Sequence, residues 1–171
     1  MTFVLDLARP IEANGEKVAS ITLREPTVGD MIQAMEETDT GVAIKLLTLI
    51  SGQDEAVIRG LTARDNAKAF VFLGKSMDAV TALRKVKANL DDAPATMTIN
   101  LRAAIETSGK FCDRLELHEP TLGEIQKADH EEGIKRAVTL VSVVSGQIRA
   151  VIERVPMSEF AQASKYVMGF L

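Results

Sequence analysis

The side chains with chemical reach are few, and they come at a recurring spacing. Asp30 stands three residues after Thr27, Glu124 three after Thr121, and Asp65 three after Thr62. Thr-x-x-Asp/Glu at the head of an apolar run is a capping box: hydroxyl and carboxylate each accept from a backbone N–H that a helix start leaves over. The carboxylate also sits at the positive end of the helix dipole. A strand-to-helix joint is the first expectation for Asp30 and Glu124, and a binding role for those carboxylates is the lesser alternative. The pairs Glu36-Glu37 and Asp91-Asp92 read as a solvated face and a linker.

The spacing recurs because the chain repeats itself. Glu25-Pro26-Thr27-Val28-Gly29-Asp30 returns as Glu119-Pro120-Thr121-Leu122-Gly123-Glu124, at an offset of 94 residues. At the same offset Ser51-Gly52-Gln53 meets Ser145-Gly146-Gln147, Ile11-Glu12 meets Ile105-Glu106, and Leu23 meets Leu117. About 20 of about 75 aligned positions are identical without a gap, the signature of a duplicated unit. Any function must suit a module that occurs twice.

Catalytic patterns fail against this frame. His118 and His130 align with Arg24 and Glu36, so neither belongs to a repeated site, and His118 reads as a surface residue. His130-Glu131-Glu132 lacks the second histidine of a zinc-binding helix, and no Cys/His cluster exists. Neither a phosphate-binding glycine loop nor a GxSxG nucleophile elbow is present. Cys112 is the single cysteine, which excludes an internal disulfide and fits a reducing compartment. Its counterpart is Val18, so a small buried apolar side chain is expected there. No catalytic residue, cofactor site or metal site is expected.

The elements that position these residues follow from periodicity. Phe3, Leu5 and Leu7 alternate with Val4 and Asp6, and Ile21 and Leu23 alternate with Thr22 and Arg24, which predicts a β-hairpin. Asn14-Gly15 supplies the turn, in a loop lengthened by Pro10 and Glu12. In the second copy Met97, Ile99 and Leu101 face Leu115 and Leu117 across Ser108-Gly109. After each capping box comes a short helix, then a polar break, Glu36 to Thr40 in the first copy. A helix apolar on most faces follows, from Val42 to Ile50 and from Ile134 to Val144, expected to be packed on several sides. Gly52 and Gly146 end it. A brief third helix precedes a fourth, which runs from Thr62-Asp65 toward Leu90 in the first copy. In the second copy it opens near Ser158 and stops at Leu171, a truncated version.

The fold class expected is α+β, with two tandem copies of a hairpin followed by a mainly helical bundle. The first module spans 1–90, a linker 91–96 and the second module 97–171. Each copy alone is small enough to bury only a modest core. Apolar residues make up 46%, Trp is absent and Tyr166 is the single tyrosine, so the core must be aliphatic. A net charge of −4 tells against a nucleic-acid surface, although Lys75, Arg84, Lys85 and Lys87 make the fourth helix locally basic. There is no signal-peptide pattern and no apolar run of the roughly 20 residues that a membrane span needs.

What remains is apolar surface on the last helix of each copy. Phe70, Phe72, Met77, Tyr166, Met168 and Phe170 are the residues expected to meet a partner, by docking of an amphipathic helix. Burial of the same residues between the two copies is the alternative.

The run Leu23-Arg24-Glu25-Pro26-Thr27-Val28-Gly29-Asp30, then Ser51-Gly52, then Leu61-Thr62-Ala63-Arg64-Asp65, resembles the phage tail assembly chaperones of the P2 E and Mu 41 type. The likeness covers the first copy almost completely. It reaches the second with drift, since Pro156-Met157-Ser158-Glu159 replaces Thr62-Ala63-Arg64-Asp65. Members carry one module, so the duplication is a departure. The resemblance implies a non-enzymatic chaperone in the host cytoplasm, absent from the mature virion. It would coat the tail tape measure protein until tube subunits assemble, with the tail tube protein as a second partner and self-association allowed, and without nucleic acid or membrane. It also implies a longer product made by ribosomal frameshifting near Gly169-Phe170-Leu171. Two other classes stand beside it: a structural tail or connector subunit of the virion, and a small regulatory nucleic-acid binder.

Overall fold

A computed structural model describes residues 1–13, 15–82 and 94–171, and the side chains of these except within 75–82. The chain falls into two compact units, Met1–Met77 and Asp78–Leu171. The first contains β1 (Thr2–Ala13), β2 (Glu16–Arg24), α1 (Val28–Ala34), α2 (Thr40–Ser51), α3 (Glu55–Arg59) and most of α4 (Ala63–Ala82). In the second, β3 (Thr96–Thr107), β4 (Lys110–His118), α5 (Leu122–Ala128), α6 (Gly133–Ser145), α7 (Arg149–Ile152) and α8 (Met157–Met168) follow in the same order. The fold is thus the duplicated α+β module. The expected extension of the fourth helix from 83 to Leu90, and residues 91–93 of the expected linker, lie outside the described residues, and Thr96 already belongs to β3.

Each sheet is one antiparallel hairpin. Alternation decides its buried face. Leu5 opposite Ile21, and Leu23 opposite Phe3, turn inward, as do Ile99 opposite Leu115 and Leu117 opposite Met97. Leu23 and Leu115 are fully buried, each stabilising the fold by about 1.5–3 kcal/mol. In the second hairpin Ser108 and Gly109 have φ of 52° and 75°, the left-handed pair that matches the twist of a tight turn.

The first hairpin corrects one expectation. Pro10 and Glu12 do not lengthen its loop, because β1 and β2 stay paired as far as Ala13 and Glu16. Pro10 instead lies inside β1, where the register jumps between Asp6 and Ile11. Proline has no N–H to give the ladder, so it is accommodated where the strand bulges out of pairing. The same jump occurs between Asn100 and Ile105, without a proline, so the bulge belongs to the module.

Helix ends follow the local chemistry. Gly52 and Gly146 close α2 and α6 with φ of 67° and 66°, as their position required. The second apolar run is a helix despite its valines. Expected burial on most faces holds for α6, where Ile134, Ala137, Val138, Leu140, Val141 and Val144 are buried. It fails for α2, which buries Leu46, Leu47 and Ile50 but leaves Val42, Ile44 and Leu49 partly open. The reason is lateral: α8 packs across α6 with large side chains that α4 lacks where the two align.

Entry to α2 carries a strained residue. Asp39 has φ 50° and ψ −122°, whereas the second copy places Gly133 (φ 57°) at the aligned position. A side chain disfavours that backbone by about 1–3 kcal/mol. Asp39→Gly therefore raises stability by about 1 kcal/mol, seen as a higher urea midpoint at unchanged slope. Gly133→Asp lowers it in the same assay.

Candidate functional site

Two polar joints recur in each unit, and both are built from a carboxylate in the first turn of a helix. At the first, Thr27 caps α1: its hydroxyl accepts from Asp30 N, while Asp30 Oδ2 accepts from Thr27 N at 2.7 Å. Thr121 and Glu124 reproduce the box on α5, with Thr121 N donating to Glu124 Oε2 at 2.8 Å. The preceding strand then adds a cation. Arg24, the last residue of β2, holds Asp30 with two donors, Nη1 at 2.6 Å and Nη2 at 2.9 Å. Its Nη2 also reaches Leu49 O in the last turn of α2 at 3.3 Å, a favourable place for a cation. One guanidinium therefore ties strand, first helix and second helix together.

His118 occupies the place of Arg24 and meets Glu124 Oε1 through Nε2 at 3.0 Å. This corrects the reading that His118 lies outside any repeated site: although half-exposed, it pairs with Glu124 as Arg24 pairs with Asp30, a contact between elements that the spacing did not show. His130 is exposed and takes no part.

The second joint fixes the bulge. Asp65 caps α4 together with Thr62, whose hydroxyl donates to Asp65 Oδ2 at 2.7 Å and accepts from Asp65 N at 3.2 Å. The other oxygen, Oδ1, accepts from Ala8 N at 3.0 Å, a backbone donor inside the bulge of β1. In the second unit Arg102 N donates to Glu159 Oε1 at 3.4 Å, at the aligned positions. Here Pro156 precedes α8 and provides no side-chain cap. Arg102 compensates: its Nε meets Glu159 Oε1 at 2.5 Å and its Nη2 donates to Ser158 Oγ at 2.8 Å. Asp65 and Glu159 are buried. A capping-box reading accounts for half of what Asp65 does; the hold on a distant strand carries no local signal.

Electrostatics agree with this structural role. Burial works against ionisation of Asp30, but the Arg24 guanidinium and the N–H and hydroxyl of Thr27 outweigh it and hold the carboxyl below its ordinary value. Burial likewise opposes ionisation of Asp65, and the donors of Thr62 and Ala8 overcome it. For Glu124 the Thr121 N–H is the leading cause of a lowered value. Burial pushes the Cys112 thiol up, and its Sγ lies 3.2 Å from Arg114 O, so it is a packed side chain as expected. Among the described residues no group of His, Cys, Asp and Glu could hold a metal ion. None of their helices is long and apolar enough to cross a membrane.

The side chains expected to meet a partner are distributed unevenly. In the first unit Phe72 stacks on Phe3 with ring centroids 5.3 Å apart, while Phe70 remains partly open and its neighbour Val71 is 77% exposed. The side chain of Met77 lies outside the described residues. In the second unit Tyr166 is buried, its hydroxyl donating to Pro94 O at 2.9 Å, and Phe170 meets its ring edge-on at 5.2 Å. Met168 and Phe170 are partly open.

A family model described as phage tail assembly chaperone proteins, E, or 41 or 14, matches residues 4–77 and again residues 98–171. The two matches coincide with the two repeats. No curated protein and no solved structure matches the chain.

The carboxylates set the acid limit of the fold. Asp30, Asp65 and Glu124 have folded values below their unfolded ones, so each contributes stability that is complete above the unfolded value, about 4, and is lost as pH falls through the folded value. Thermal unfolding should give a steady Tm from neutral pH to about 5 and a decline below about 4. Asp30→Asn or Asp65→Asn lowers the neutral plateau and shallows the decline.

Proposed function

This chain belongs to the phage tail assembly chaperone family, and from that premise we propose that it binds the tail tape measure protein and keeps it soluble until the tube assembles around it. The double family match carries this reading. A tape measure long enough to span a tail exposes apolar helical faces before it is sheathed. A module that works by packing, without a reacting centre, suits that task. Both repeats supply large apolar side chains on their last helix or just beyond it: Phe70, Phe72 and Met77 in α4, and Tyr166, Met168 and Phe170 at the end of the second unit. Of these Phe70, Phe72, Met168 and Phe170 are partly open; Phe72 is engaged by Phe3, so Phe70, Met168 and Phe170 are the first proposed contacts.

The proposed action is non-enzymatic and takes place in the host cytoplasm, and the protein leaves before the virion is complete. The tail tube protein is a second proposed partner, and self-association is compatible with the reading. A net charge of −4 supports leaving nucleic acid aside.

Co-expression with the tape measure protein tests it. The expected outcome is a soluble complex that survives gel filtration, with the tape measure protein insoluble alone. Phe70→Asp together with Phe170→Asp reduces capture at least tenfold while the circular dichroism spectrum is kept. A tape measure protein that stays insoluble and unbound, with this chain present in purified particles, favours a structural tail subunit instead.

A further inference from the structure

The two repeats differ in side-chain volume where the last helix begins, and the first has a groove there. Ile44 on α2, Ile58 on α3, and Leu61, Ala63 and Asn66 around the start of α4 line an opening of about 190 Å³, with Leu47 at its floor. Leu47 and Ile58 are buried, whereas Ile44, Leu61 and Asn66 are partly open and Ala63 is exposed. At the aligned positions the second unit has Val138, Val141, Ile152, Val155, Met157 and Phe160, all buried. Met157 and Phe160 fill the space, and Ala63 and Asn66 leave it vacant. At these two positions the first copy lacks a ring and a thioether chain that the second has.

The second unit therefore shows what this space accepts: an aromatic ring with a second large apolar side chain beside it. Room for the ring is present, since a cavity of about 150 Å³ holds a benzene molecule. Phe70 follows Ala63 and Asn66 on the same face of α4 and remains partly open, so the apolar surface continues beyond the groove. Charge indicates the flank of the occupant. Arg59 lines the groove where the second unit has Glu153, which is held by Arg149. The contact of Arg59 with Glu55 is exposed and weak in competition. An incoming carboxylate can take over the guanidinium.

We infer that the first repeat is the receptor of the pair. Its groove takes an amphipathic helix from a partner protein, one that inserts an aromatic and a Met- or Leu-sized side chain three or four residues apart and sets an acidic residue against Arg59. The second repeat is closed at this place by its own side chains. This inference deepens the proposed function and names the binding face for the apolar helices of the tape measure protein.

The experiment fills the groove as the second repeat does. Ala63→Met with Asn66→Phe is made in the full chain, and Arg59→Glu is made separately because it leaves the apolar walls untouched, its fold checked by circular dichroism. The probe is a labelled synthetic peptide of residues 155–171, which carries Met157, Phe160 and Glu159, followed by fluorescence anisotropy. The wild-type chain should bind it, the filled variant at least tenfold more weakly and with a higher Tm, and Arg59→Glu several-fold more weakly. A wild-type chain that leaves the peptide free at submillimolar concentration overturns the inference, as does a folded filled variant that binds like the wild type. If the wild type is a dimer that the filled variant breaks, the occupant is a second copy and the assignment to a partner helix falls. Capture of the tape measure protein is measured on the same variants. Capture by both forms alike sinks the groove and spares the chaperone function; peptide binding lost on filling, without any tape measure capture, does the reverse.

Discussion

The hairpin of each unit is tied to its last helix by a buried carboxylate that accepts from a strand N–H in the bulge. A bulge leaves strand N–H groups without ladder partners, and an orphaned buried donor costs about 1–3 kcal/mol. A helix start has the same shortage, with four N–H groups to satisfy. Asp65 answers both: one oxygen caps α4 and the other takes Ala8 N. Glu159 accepts from the bulge of β3 through one oxygen without capping α8, and Arg102 supplies the positive charge that Lys68 gives near Asp65. The hairpin and the last helix of the module are thereby locked in one register. The apolar faces of Leu5, Leu23 and their counterparts can pack because this lock aligns them.

Much of the fold was legible because the chain states it twice. Alternation at Phe3, Leu5 and Leu7, the capping boxes at Thr27 and Thr121, and the glycines at 52 and 146 are local signals, and each element formed where its signal lay. What resisted reading was non-local. Pro10 looked like a loop residue because proline is common in loops; its place in a bulge depends on a side chain far along the chain. His118 looked incidental because the pairing of Arg24 with Asp30 is a contact between elements, invisible in spacing. The candidate surface was legible as composition only. That Phe72 would stack on Phe3, and that Tyr166 would turn its hydroxyl to Pro94, depends on packing that hydrophobicity does not specify.

Duplication relaxes a constraint that a single module must obey. One domain that both holds itself together and offers an apolar site trades core stability against binding surface, since the same residues serve either end. Two copies allow that task to be divided. The second is closed around Phe160, Met157 and Val155, with α6 buried on several sides. The first keeps Ala63 and Asn66 and leaves α2 partly open. The divergence falls at aligned positions and is therefore readable as a difference between copies.

The lock between bulge and last helix also bears on how the chain assembles during synthesis. Ala8 and Asp65 are 57 residues apart, and so are Arg102 and Glu159. Each hairpin must wait for most of its module to leave the ribosome before its spare donors are met, and contacts of such long range form late. Modules of one fold in tandem risk misassembly by exchange of equivalent parts. Asp65 lies only 37 residues from Arg102, nearer than it lies to its own bulge. The two acids differ by one methylene, and only the second bulge carries an arginine that reaches its acid and Ser158 together. The two locks therefore differ in reach and in charge, and a hairpin exchanged between the copies would meet an acid of another length.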